Sequence, residues 1–104
     1  MSVTILSNPN ILSSTHKPIR VFLVEDYQLA RLGLKTYFEQ TNTIKVIGES
    51  ENAEDGLLGI KWEKPDLVLM DLTLPGMSGT KATQMIKQFD PQVKVIILTF
   101  QRLY

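Results

Sequence analysis

Two hydrophobic periods alternate along this chain. Over Ile19–Val24 every residue but Arg20 is apolar, with β-branched Ile19, Val21 and Val24, which predicts a strand covered on both faces. Over residues 27–40 the period becomes helical: Ala30, Leu34, Tyr37 and Phe38 share one face, with Leu29 and Gly33 beside them. The aromatic residues of this helix are expected in the core. A turn follows at residues 41–43. Ile44, Val46 and Gly48 then alternate with Lys45, Ile47 and Glu49, which suits a shorter strand near a sheet edge. Asn52 predicts an N-cap with Asp55 in the first turn, and Ala53, Leu57 and Ile60 mark the buried face of a second helix that Pro65 stops. Trp62 lies off that face and is expected to be partly exposed. Residues 66–70 read as a third strand that ends at Asp71, before a loop containing Pro75-Gly76. Ser78 caps a third helix with Ala82, Met85, Ile86 and Phe89 at helical spacing. Asp90-Pro91 breaks it, and residues 93–98 form a fourth strand ending at Thr99.

The order β-α-β-α-β-α-β with short connections predicts a parallel sheet, right-handed crossovers and helices on both faces. Residues 1–18 show no sustained period, are rich in Ser, Asn, Thr and Pro, contain no Asp or Glu, and predict a disordered arm. An acid-poor arm also suits a transit peptide, but no Arg precedes Arg20, which argues against one. His16, the single histidine, falls in this arm and predicts no catalytic role.

Composition narrows the function. The 104 residues allow one domain, 43% hydrophobic. Lys plus Arg and Asp plus Glu number 11 each, so the net charge is zero and gives no footing for nucleic-acid binding by this segment. There is no cysteine, which excludes disulfides and thiol chemistry. No apolar run approaches the ~18 residues of a membrane span, so no membrane association is expected. A cytoplasmic location fits.

Three strand ends carry chemistry: Glu25-Asp26, Asp71 and Thr99. In a sheet ordered 2-1-3-4 the first, third and fourth strands are neighbours, about 4.8 Å apart, so these ends lie within about 10 Å of one another. They share the rim at a topological switch point, where open α/β sheets bind ligands. Three carboxylates so close repel one another unless a cation joins them. Hard oxygen donors of this kind suit Mg²⁺, which keeps several waters and accepts phosphate oxygens.

The segments Val24-Glu25-Asp26-Tyr27, Asp66-Leu67-Val68-Leu69-Met70-Asp71-Leu72-Thr73-Leu74-Pro75-Gly76-Met77-Ser78-Gly79 and Ile96-Ile97-Leu98-Thr99 together resemble the receiver domain of bacterial two-component response regulators. The style of the loop is most similar to the subclass joined to a LuxR-type helix-turn-helix. The resemblance runs from Ile19 to Thr99 and implies the flavodoxin-like three-layer receiver fold. It also implies a phospho-switch rather than an enzyme. Asp71 would accept a phosphoryl group from a histidine kinase or phosphotransfer protein. Glu25, Asp26 and Asp71, with the backbone carbonyl of Thr73, would hold Mg²⁺, and Thr99 would hydrogen-bond the phosphoryl group. Output would be transcription regulation by a DNA-binding domain outside this segment.

The resemblance also implies a departure. Members of the family continue through a further helix, a fifth strand ending in a lysine, and a last helix. This sequence has only Phe100-Gln101-Arg102-Leu103-Tyr104 after Thr99. Residues 19–104 are therefore expected to form an incomplete receiver domain with no catalytic lysine, since Lys94 and Arg102 stand at the wrong places. Instability, aggregation or dependence on self-association through the fourth strand is expected, because its apolar edge and faces would lack cover. An inactive fragment is one alternative. Another is an aspartyl-nucleophile phosphatase of haloacid-dehalogenase type, for which Asp71-Leu72-Thr73 is a loose match; that reading leaves Glu25-Asp26 without a role. A flavin module of similar topology would place acids where the flavin phosphate must sit.

Overall fold

The computed structural model describes residues 17–99. The elements are β1 (Ile19–Val24), α1 (Gln28–Glu39), β2 (Ile44–Ser50), α2 (Ala53–Glu63), β3 (Leu67–Asp71), α3 (Gly79–Phe89) and β4 (Lys94–Leu98). All pairings are parallel, in the order β2-β1-β3-β4. The expected arm, apart from Lys17 and Pro18, lies outside the described residues, as do His16 and Arg102.

The continuous apolar strands divide their side chains between two cores. Phe22, Val24, Val68 and Met70 pack with Ala53, Leu57 and Ile60 of α2 and Ala82 and Ile86 of α3. Val21, Leu23 and Leu69 pack on the other face with Phe38 and Leu34 of α1. This period-two division needs apolar residues at every buried position, which explains the runs Val21–Val24 of β1 and Leu67–Met70 of β3; Arg20 and Asp71 stand at the strand ends. Burial on both faces makes these central strands the rigid platform for whatever their ends carry.

The helix caps form as the sequence suggests. Asn52 accepts the Asp55 N–H at 2.8 Å, and Ser78 accepts that of Lys81 at 3.1 Å. Lys64 closes α2 in the left-handed region, at φ 51°, immediately before Pro65.

Several expectations need correction. The strand near the edge is not short: β2 has seven residues against six in β1. Its alternation is interrupted, because Val21 pairs with Val46 but Phe22 with Gly48, so Ile47 is an extra residue in the ladder. The Phe22 ring explains the shift. A Cβ at Gly48 or at Gly59 would stand 2.6 Å from ring carbons of Phe22, so the ring fits only between two glycines. Not every aromatic residue of α1 is in the core. Only Phe38 is buried; Tyr37 is exposed and packs edge-on against the Phe38 ring at 5.8 Å. Leu29 is exposed as well. Helix α1 meets the sheet along the narrow Leu34–Phe38 stripe, and residues a turn-fraction away fall outside it. Phe89, at the end of α3, is partly exposed beneath the Lys61 ammonium, 5.0 Å from its ring centre. Trp62 is 85% exposed, more than expected. Val93 is buried but precedes β4 rather than opening it. On β4, the sheet edge among the described residues, Ile96 and Ile97 are exposed.

Candidate functional site

Asp71 is the last residue of β3, still within the ladder and 2% exposed. Its register partner is Leu98, and Leu72 N–H donates to the Leu98 carbonyl at 3.0 Å, so Thr99 follows directly on the same rim. Glu25 continues β1 by one residue: its N–H donates to the Ser50 carbonyl at 3.0 Å. The chain then turns through Asp26 and Tyr27, the N-cap residue, into α1.

The three acids meet. One oxygen each of Glu25, Asp26 and Asp71 lies within 4.8 Å of the others. Glu25 and Asp71 are buried, and Asp26 is half-buried. The Glu25 and Asp71 carboxylates are each held through one oxygen. Glu25 Oε1 accepts the Tyr27 N–H at 3.1 Å, and Asp71 Oδ1 accepts the Thr73 N–H at 2.9 Å. Among the described residues, Glu25 Oε2 and Asp71 Oδ2 are buried with no hydrogen-bond partner. Buried acceptors without donors are costly, about 1–3 kcal/mol each and more when charged. Such a pair points to a missing proton or a missing cation.

The proton affinity of the site follows from this geometry. Burial pushes the Glu25 carboxyl up from 4.5 to about 7. The closeness of the Asp71 carboxyl adds to the effect, and the negative charges of Asp71 and Asp26 add less, while the Tyr27 N–H opposes it. The donor set is all carboxylate oxygen, and two of the acids, Glu25 and Asp71, each carry a buried oxygen without a partner. These are the ligands that a small hard dication such as Mg²⁺ prefers.

The structure brings together the acids that the sequence singled out, and places Thr99, exposed, beside them at the end of β4. Thr73 is exposed in the loop after Asp71 and contributes its N–H to that carboxylate. Lys94 pairs with Leu67 at the opposite end of the strands and has no access to this rim. Two contributors escaped the sequence reading. Glu54, on α2, accepts the Met77 N–H at 3.0 Å and ties down the loop after Asp71. Arg31, on α1, donates to the Glu25 carbonyl at 2.6 Å. Neither stands in a motif; each reaches the site by a side chain crossing between elements.

Comparison with known proteins agrees with this geometry. The family model described as the response regulator receiver domain matches residues 21–103. The response regulator protein VraR of Staphylococcus saprophyticus is 38% identical over 82 residues, covering 79% of this chain and 39% of that protein. VraR of Staphylococcus epidermidis is 40% identical over 81 residues, covering 78% and 39%. The chain thus spans about two-fifths of the length of these relatives. Among solved structures, a LuxR-family two-component response regulator from Aurantimonas superposes with a TM-score of 0.76 at 33% identity, over 82% of this chain and 61% of the other. The response regulator domain of Thermotoga maritima CheB gives a TM-score of 0.75 at 28% identity, over 79% and 60%. The aspartyl phosphatase reading is not favoured beside these matches. With the fold, the converging acids and the match over most of its length in agreement, the chain belongs to the response regulator receiver domains of two-component signalling.

Proposed function

We propose that Asp71 accepts a phosphoryl group from a histidine kinase or phosphotransfer protein, with Mg²⁺ held by Glu25, Asp26, Asp71 and the Thr73 carbonyl. The observation that carries this reading is the meeting of three carboxylate oxygens within 4.8 Å, two of the acids buried. In the transfer, an Asp71 oxygen forms a bond to phosphorus while the P–N bond to the donor imidazole breaks, its electron pair returning to nitrogen. Bound Mg²⁺ supplies neutralising charge for the phosphoryl oxygens. The Thr73 N–H holds Asp71 Oδ1 and so orients the carboxylate. Glu25 and Asp26 contribute charge and ligands, not proton transfer. The product is a labile acyl phosphate, suited to a signal that must decay. Thr99, one residue beyond the register partner of Asp71, reads the new group by its hydroxyl.

At the level of the whole protein, this unit controls a DNA-binding output domain in the cytoplasm. LuxR-family regulators among the similar structures support that assignment. No helix of the described residues is long and apolar enough to cross a membrane.

Incubation with a small phosphodonor and Mg²⁺ is expected to add one phosphoryl group, removable by hydroxylamine and absent with EDTA. Mass spectrometry reads it directly. Asp71→Asn is expected to take up none, and labelling of that variant at the native rate would overturn the assignment. Thr99→Ala is expected to keep the label, while the spectral shifts it induces along β4 in NMR shrink. Unchanged shifts would reduce Thr99 to a strand-end residue.

A further inference from the structure

We infer that Arg31 is a positioning residue for the acidic rim, holding the Glu25–Tyr27 turn so that two of its acids face Asp71. The inference rests on the reading of that rim as a Mg²⁺ site. Glu25 is where β1 stops and the chain bends toward α1. Its N–H is taken by Ser50 of β2, and its carbonyl, which has left the ladder, is taken by Arg31 Nη1 at 2.6 Å. The Glu25 carboxylate turns back onto the Tyr27 N–H. The backbone of this residue is thus clamped from both sides, by a strand and by a helix side chain six positions on.

The guanidinium is itself anchored. Its side chain is only 12% exposed, and Nε lies 3.6 Å from Glu49 Oε1 on β2. Glu49 Oε2 also pairs with Lys35 at 2.8 Å. Arg31 therefore links β1, β2 and α1, with its charge balanced on the side away from Glu25. Its planar fork presents donors to both acceptors in fixed directions, whereas a lysine offers a single point charge on a flexible stem. Outer partners that orient metal ligands typically govern affinity by about 10–100-fold.

The sign of the effect separates positioning from charge. A cation beside three carboxylates, acting through charge alone, would repel Mg²⁺, and its removal would tighten binding. A residue that holds the ligands in place does the opposite. Titration with MgCl₂ by calorimetry is expected to show Arg31→Gln binding at least about 10-fold more weakly, and Arg31→Lys recovering only part of the loss. Lys35→Gln removes a neighbouring charge of the same network without touching Glu25, and is expected to bind within about 2-fold of the native protein. Tighter or equal binding by Arg31→Gln would overturn the proposal. Amide exchange in the metal-free proteins supplies a readout independent of Mg²⁺. Arg31→Gln should lose protection at Glu25 and Tyr27 and keep it at Ile60 in the α2 core. Full protection at Glu25 and Tyr27 would overturn the clamp whatever the metal data. Native protein that binds no Mg²⁺ would instead overturn the metal reading of the rim, and that arm is read before any variant.

Discussion

In the presence of a chelator, the protein is expected to lose about 3 kcal/mol of unfolding free energy as the pH rises from 4.5 to 7, and saturating Mg²⁺ is expected to reverse that trend. The cause is Glu25. In the unfolded chain its carboxyl ionises near 4.5, whereas burial beside Asp71 keeps it protonated to about 7 in the folded protein. Below 4.5 both states hold the proton and the group costs nothing. Between 4.5 and 7 the folded state binds more protons than the unfolded one, so stability falls as pH rises. Above 7 both are ionised and the loss is complete. At about 1.4 kcal/mol per pH unit, the interval amounts to about 3 kcal/mol, a large part of the roughly 5–15 kcal/mol that holds a domain together. On the proposed function Mg²⁺ would bind the ionised carboxylates of the folded state alone, so its contribution should grow over the same range. Urea unfolding at several pH values, with EDTA and with Mg²⁺, measures both slopes. Glu25→Gln should flatten the chelated slope and leave the protein more stable than native at pH 8 without metal. A native protein whose chelated stability holds level between 4.5 and 7 would mean that Glu25 ionises as an ordinary surface acid.

Gly79→Ala is expected to destabilise the fold by about 3 kcal/mol, at the upper end of what overpacking costs, and to slow phosphoryl uptake by at least about 10-fold. Gly79 is the first residue of α3 and is buried against the end of β3, at Asp71. A Cβ there would stand 2.3 Å from the Asp71 carbonyl oxygen and 3.1 Å from its carbonyl carbon and from the Leu72 Cα. These are backbone atoms, held in the β3–β4 ladder, so no side chain can swing aside to make room. Either the helix start or the end of β3 must move, and the second displaces the Asp71 carboxylate directly. Gly33→Ala is the control. Gly33 lies exposed within α1 with nothing within 4 Å of an added Cβ, so alanine should stabilise by about 0.5–1 kcal/mol. Urea midpoints at constant slope read the stabilities, and labelling rates read the site. Equal effects from the two glycines would show that α3 and Asp71 are not packed as tightly as these distances require.

Much of this protein was legible along the chain because its signals are local. The apolar runs Val21–Val24 and Leu67–Met70 mark β1 and β3, since the middle of a strand between two helix layers has no polar face. Asn52 and Ser78 mark helix starts because a cap is made within four residues. Glu25, Asp26 and Asp71 were visible as acids placed abruptly at strand ends, and parallel connectivity alone brings those ends to one rim. What the tertiary structure decided depends on distances between elements. The extra residue at Ile47 exists because the Phe22 ring needs two glycines, one on β2 and one on α2. Tyr37 stays at the surface because α1 touches the sheet along a single stripe, which helical spacing cannot reveal. The raised proton affinity of Glu25 arises from burial and from Asp71, 46 positions away in the chain. Arg31 acquires its role from Glu49 on another strand and from a carbonyl that only the bend after β1 leaves open. Local periodicity names the elements and their ends; the desolvation, close contacts and crossing side chains that make those ends a site arise only when the elements pack.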